Sequence, residues 1–271
     1  MRTPPRVMPA MVTAFDRDEE IDVDAHRHNL RTLWDRGVRG FIVAGSTGEG
    51  PYLEAGERAA LCSAARSELG DDAFVVCGVA AETVRAALGQ IAEAAAGGAD
   101  AVLVMTATSL VRGRHDLVAG HYVAIADRSG LPVLLYTVPG VTGYELPVET
   151  VVALAGHGNI VGIKDSGGRA ERFARWRDQV PSPFWGFCGA SGAIVDSMAF
   201  GAHGAITASA NYAFDLVART VDGDTGAQRD LAAVSGPVEA GGIAGTKAAA
   251  AGAGLRPGYS RAPLPPPTVL A

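Results

Sequence analysis

Short runs of consecutive apolar residues alternate along this chain with segments in which apolar residues recur every three or four positions. The runs fall at roughly 7–14, 41–46, 74–79, 101–106, 132–138, 159–165, 184–189 and 204–210. Each has the length of a strand, and most are rich in β-branched residues. Runs such as Phe41-Ile42-Val43-Ala44 and Ala101-Val102-Leu103-Val104-Met105 offer no polar face, which predicts cover on both sides, as in a parallel sheet. Between the runs lie three clear helical patterns: Val23, Leu30, Leu33 and Trp34, then Ala60, Leu61, Ala64, Ala65 and Leu69, then Val84, Ala87, Leu88 and Ile91. Each spacing puts one apolar stripe on a helix.

Eight strands with seven intervening helices predict an α/β fold, a (β/α)8 TIM barrel over residues 1–211. An open, doubly wound sheet also alternates in this way, but eight evenly spaced units favour closure. Residues 212–271 then form a C-terminal helical extension, with helices around 212–222, 227–239 and 242–251 and a proline-rich end, Pro263-Leu264-Pro265-Pro266-Pro267.

Composition narrows the function classes. With 48% apolar and 19% charged residues the 271-residue chain can build a sizeable core, and a net charge of −6 argues against nucleic acid as a partner. No run reaches the roughly 18 apolar residues of a membrane span, and no apolar stretch of signal-peptide length follows the N-terminus, so a cytoplasmic protein without a membrane partner is expected. Cys62, Cys77 and Cys188 lie far apart in apolar runs and read as reduced core thiols. His26 and His28 are two apart on a helix and face different ways, and no HExxH or CxxC occurs, so no metal and no cofactor is expected.

Among 23 basic residues only Lys164 and Lys247 are lysine. A lysine that persists on an apolar strand of such a chain is a candidate for chemistry. Lys164 ends the run Asn159-Ile160-Val161-Gly162-Ile163-Lys164-Asp165-Ser166. Facing inward it would be poorly solvated, and burial disfavours an ammonium charge, as Schiff-base catalysis requires. The competing reading is an outward lysine paired with Asp165. Tyr136 ends the preceding strand, Pro132-Val133-Leu134-Leu135-Tyr136-Thr137-Val138-Pro139, where a phenol could relay protons. After the second strand comes Gly45-Ser46-Thr47-Gly48-Glu49-Gly50, whose small residues and hydroxyls suit an anion. It is not a P-loop, because no Gly-Lys-Ser/Thr follows.

Together, the G-S-T-G-E turn, the Y-x-V-P strand end, Gly162-Ile163-Lys164-Asp165-Ser166, Gly186-Phe187-Cys188-Gly189 and Gly204-Ala205-Ile206 resemble the dihydrodipicolinate synthase/N-acetylneuraminate lyase family of class I pyruvate aldolases. The likeness runs from about Met8 to Asn211 and more loosely to Arg261-Ala262-Pro263-Leu264. It looks most like the 4-hydroxy-2-oxoglutarate aldolase branch, through Gly162–Gly168 and Tyr136–Gly143.

That resemblance implies catalytic roles for Lys164 (Schiff base), Tyr136 (general acid/base) and Ser46 (proton relay and carboxylate contact). It implies a substrate pocket built with Thr47, Gly45, Thr137, Ser166, Gly189 and Ile206, a pyruvate-type 2-oxo acid as substrate, and a homo-oligomer, tetramer or dimer. The expected reaction is making or breaking a C–C bond in a 4-hydroxy-2-oxo acid, for example 4-hydroxy-2-oxoglutarate to pyruvate and glyoxylate. The alternatives are 4-hydroxy-tetrahydrodipicolinate synthase, a decarboxylase or dehydratase using the same imine, or a non-catalytic 2-oxo acid binding barrel.

Two departures bear on the choice. Dihydrodipicolinate synthases carry an arginine where this chain has Val141, and a tyrosine pair after the fourth strand where it has Thr106-Ala107-Thr108-Ser109-Leu110-Val111, which leaves Ser109 or water to complete a relay. Lys247, in Gly245-Thr246-Lys247, matches a family position in the extension and reads as structural.

Overall fold

The computed structural model describes residues 2–267; residue 1 and the last four residues of the predicted extension, 268–271, lie outside the described residues. Eight parallel strands form one sheet: β1 (Val7–Pro9), β2 (Gly40–Val43), β3 (Phe74–Val79), β4 (Ala101–Met105), β5 (Val133–Thr137), β6 (Ile160–Asp165), β7 (Trp185–Cys188) and β8 (Gly204–Thr207). The order β1-β8-β7-β6-β5-β4-β3-β2 is that of a barrel. Ala10 bridges Ile42, and Met11 N–H donates to the Ile42 carbonyl at 2.9 Å, which closes the ring.

Except for β3, which matches its run, the strands are shorter than the apolar runs that predict them, mostly at their C-terminal ends. An apolar run records burial, whereas a strand needs a paired neighbour. At β2 the backbone leaves the sheet at Ala44, which takes a left-handed φ of 56° while remaining buried.

Helices α1 (Val23–Asp35), α2 (Glu57–Leu69), α3 (Val84–Ala96), α4 (His115–Ala126), the one-turn α5 (Pro139–Thr142), α6 (Val148–Ala155), α7 (Glu171–Arg177) and α8 (Ile194–Ala199) connect the strands. After β8 come α9 (Phe214–Val221), α10 (Thr225–Ala240) and α11 (Gly242–Gly252), close to the helices predicted there. Side-chain oxygens cap several starts: Asp22 accepts from Ala25 N–H at 2.9 Å, Thr83 from Ala86 at 3.2 Å and Asp224 from Ala227 at 2.9 Å. Among the described residues no helix is long and apolar enough to cross a membrane.

Strand alternation divides the core in two. Met8, Ile42, Phe74, Val76, Leu103, Leu134, Tyr136, Phe187 and Ile206 fill the barrel. Val75, Cys77, Val102, Val104, Val133, Leu135 and Ile163 face the helices. All three cysteines are free and buried. The interior is therefore a packed core, and any chemistry must sit at its C-terminal mouth.

Candidate active site

β5, β6 and β7 align Tyr136 with Lys164 and Lys164 with Phe187, so all three side chains enter the same layer of the lumen. Lys164 is buried, with Nζ 3.4 Å from the Tyr136 hydroxyl and 4.4 Å from the centre of its ring. The outward alternative is ruled out by strand parity and by Asp165, which turns the other way to meet Arg172 Nε at 2.7 Å. Arg172 and Asp165 are both buried, and Arg172 also reaches Glu145 and the Leu146 carbonyl.

The Ser46 hydroxyl lies 2.9 Å from the Tyr136 hydroxyl. Burial alone pushes the Tyr136 phenol up. Lys164 facing it and the hydrogen bonds from Ser46, Ser166 and Lys164 together outweigh that effect, and the phenol ends below its ordinary value. The backbone behind Tyr136 is fixed too, since its carbonyl accepts from the Thr106 hydroxyl at 2.9 Å and Thr106 N–H at 3.2 Å. Thr106 also meets the Tyr122 hydroxyl at 3.0 Å.

Ser46 and Thr47 are the half-buried members of an otherwise buried turn. The turn closes on itself, with Glu49 N–H donating to the Ser46 carbonyl at 3.1 Å and Gly50 N–H to Gly45 at 2.9 Å. Glycine is needed at Gly50 and Gly78, because a Cβ at either would lie 2.1 Å from the Ala44 carbonyl oxygen. Arg58 of α2, itself buried, donates to the carbonyls of Gly78 (3.2 Å) and Gly50 (2.5 Å) and holds the turn against β3. Burial lowers its guanidinium below the ordinary value.

On the opposite wall, Gly189 approaches so closely that a Cβ would stand 2.0 Å from Ser166 Oγ and 2.9 Å from Lys164 Cε. Ile206 lies buried in the lumen packing. Gly45, Ser46 and Tyr136 line one small cavity with Leu103 and Met105. Thr137 stands apart, its parity that of Asp165 and its hydroxyl accepting Leu146 N–H at 3.0 Å. Ser109 is exposed and its N–H, like that of Thr108, donates to Glu82, at 2.9 and 3.0 Å. Leu110 beside it is almost fully exposed.

Sequence reasoning missed Arg58, Arg172 and the Glu49–Lys247 pair. A signal existed for Arg58, which shares the apolar stripe of α2 with Leu61, Cys62 and Ala65. Lys247 is fully buried with Nζ 2.5 Å from Glu49 Oε1, and it also donates to the Tyr259 carbonyl. Among the described residues no group of three metal-ligating side chains stands together. What the mouth does provide is an amine, an acidified phenol and a hydroxyl within hydrogen-bonding reach, the set needed to form an imine and move protons beside it.

Comparison with known proteins agrees with this arrangement. Residues 3–236 match the dihydrodipicolinate synthetase family. The 4-hydroxy-tetrahydrodipicolinate synthase of Xanthomonas axonopodis pv. citri is 37% identical over 227 residues, 84% of this chain and 75% of its own length. A dihydrodipicolinate synthase of Bacillus anthracis superposes with a TM-score of 0.86 at 29% identity, covering 97% of this chain and 92% of that one. That of Acinetobacter baumannii, solved with pyruvate, superposes with a TM-score of 0.76 at 27% identity over 90% of this chain and 80% of its own. The protein belongs to the dihydrodipicolinate synthetase family, whose members are class I aldolases or lyases acting through a Schiff base with pyruvate.

Proposed function

We propose that this protein joins pyruvate, held as an imine on Lys164, to an aldehyde, and that the product is 4-hydroxy-tetrahydrodipicolinate. The observation that carries the reaction type is the Lys164 amine 3.4 Å from a phenol that Ser46 touches at 2.9 Å. The product follows from the relatives, several of which bear the name 4-hydroxy-tetrahydrodipicolinate synthase at 34–37% identity.

In this reading the Lys164 lone pair adds to the keto carbon of pyruvate, water leaves, and the protonated imine becomes an electron sink. Loss of a methyl proton gives an enamine, whose carbon attacks the aldehyde; the aldehyde oxygen takes up a proton. The acceptor's amino group then adds to the imine carbon and displaces the Lys164 amine, which closes the ring and frees the enzyme. Tyr136, acidified and bonded to Ser46, relays these protons. Ser46 and Thr47, with the N–H groups after Gly45, hold the pyruvate carboxylate. Gly189, Ser166 and Ile206 bound the space around the imine. Thr137 contributes through its backbone, whose carbonyl accepts Ser166 N–H at 3.0 Å.

A second reading is reversible cleavage of a 4-hydroxy-2-oxo acid such as 4-hydroxy-2-oxoglutarate, and Val141 bears on it only by weighing against the amino-aldehyde, since glyoxylate too carries a carboxylate. This exposed, apolar side chain on α5 cannot clamp the carboxylate of an amino-aldehyde acceptor. On the other side of the balance, the Arg112 guanidinium packs against Gly143 of the same turn, 3.3 Å from where a Cβ would stand, and has no acidic partner among the described residues.

Borohydride reduction in the presence of pyruvate is expected to leave a carboxyethyl group on the Lys164 peptide, and Lys164→Ala to lose both adduct and turnover. An unmodified Lys164 would sink the mechanism. The two products are then separated by assay, with 2-amino-4-oxobutanoate (the fragment beside pyruvate in the synthase product) in one arm and 4-hydroxy-2-oxoglutarate in the other.

A further inference from the structure

We propose that Lys247 is a positioning residue for the active site, acting through Glu49 to hold the Gly45–Gly50 turn in the shape that aims the Ser46 hydroxyl at Tyr136. The inference rests on the Schiff-base reading above.

The two lysines of the chain stand at opposite ends of one connected path. Lys247 Nζ lies 2.5 Å from Glu49 Oε1. The Glu49 N–H donates to the Ser46 carbonyl, the Ser46 hydroxyl meets Tyr136 at 2.9 Å, and Tyr136 meets Lys164 at 3.4 Å. Glu49 is the strained link. It has a left-handed φ of 58°, rare for a residue with a side chain, and it is wholly buried. Such a conformation persists only when its surroundings fix it. Here the carboxylate is gripped on both oxygens, one by Lys247 and the other by Arg261 N–H at 2.9 Å.

Both partners are fully buried, and a buried ion pair is a poor source of stability compared with apolar residues of the same volume. Its use is geometric. The ammonium is a compact donor set between Glu49, the Tyr259 carbonyl and the face of Phe15, 5.2 Å from the ring centre. A planar arginine fork would not serve all three, which accounts for a lysine in a chain that otherwise uses arginine. Burial lowers the Lys247 ammonium below its ordinary value, and the contact with Glu49 opposes that shift.

The test compares wild type, Lys247→Met, the charge-free double variant Glu49→Gln/Lys247→Met, and Leu255→Ala, a buried-core control in the same extension. The double variant leaves no uncompensated charge and is expected to fold. Its KM for pyruvate is expected to rise about tenfold through misplacement of the turn. The limb of the pH–rate profile set by Tyr136 should move to higher pH, because Ser46 no longer steadies the phenolate and Lys164 is left as the basic group facing it. Leu255→Ala should change stability without moving either readout.

A folded double variant with wild-type KM and pH profile overturns the proposal. A double variant that fails to fold does so equally, by assigning the pair to the fold alone. The borohydride adduct on wild-type protein keeps the two ideas separate. Its absence removes the Schiff-base reading, whereas its presence with unchanged half-saturation in the double variant removes only the role of Lys247.

Discussion

One methyl group at position 189 would be enough to disturb the site. The Cα of Gly189 is packed so tightly against Ser166 and Lys164 that alanine must displace one of them, and in the proposed mechanism the lysine stem is the reacting arm. A shift near 1 Å in a catalytic group can cost about a hundredfold in rate. Gly189→Ala is therefore expected to lower kcat by about that factor while leaving circular dichroism and melting close to wild type; unchanged kcat would show that Lys164 tolerates the displacement. The sequence identified Gly189 by its motif alone. Its physical requirement, absence of a Cβ beside the amine, became visible only with two neighbouring strands in place. The same holds for Thr137, which the motif places in the pocket and whose strand parity turns its hydroxyl to Leu146.

At the scale of elements, neighbouring strands together supply each layer of side chains to the lumen, and the helices behind decide how firmly the strands are held. Helix α1 carries a cost of this kind. His26 is fully buried against α2 with neither ring nitrogen in a well-formed hydrogen bond, and burial, opposed in part by the Leu61 backbone, drives it down to about 4 from an unfolded value of 6.5. The unfolded chain binds the extra proton first. This contribution to stability is fully present above pH 6.5 and is lost as the pH falls towards 4, about 3 kcal/mol in all. Denaturation by urea at pH 7 and pH 5 should show the drop, and His26→Leu should flatten it. Equal slopes in the two proteins would place the acid sensitivity elsewhere. The periodicity of α1 put His26 and His28 on different faces, and His28 does turn to the Gly254 carbonyl, 3.2 Å away. Nothing local revealed that the buried ring would find no well-formed hydrogen bond.

At the scale of the molecule, the C-terminal extension is fastened to the Gly45–Gly50 turn by Lys247 and the Arg261 N–H, both on Glu49, and beside the turn by the Arg261 guanidinium on Glu57 and the carbonyls of Glu19 and Tyr52. The Arg261 guanidinium also lies over the Phe15 ring at 4.4 Å and is largely buried. Arg261→Ala removes charge-assisted bonds and should cost about 2 kcal/mol in chemical denaturation. Because the Arg261 backbone still caps Glu49, the KM for pyruvate should change less than it does in the Lys247 variants; a larger change would shift the positioning role to Arg261.

What the sequence determined by itself is whatever one-dimensional periodicity and short motifs can carry: eight strands in order, helices between and after them, closure into a barrel, and the sequence order of Ser46, Tyr136 and Lys164. These depend on residues a few positions apart, whose shared face the backbone geometry dictates. Tertiary structure alone decided where the strands stop, that Asp165 belongs to Arg172, that Arg58 braces the turn, and that the second lysine reaches the first turn of the mouth across almost the whole chain. Those contacts arise from closing the ring and folding the extension back over it. No local pattern encodes which distant residue will fill the last buried space.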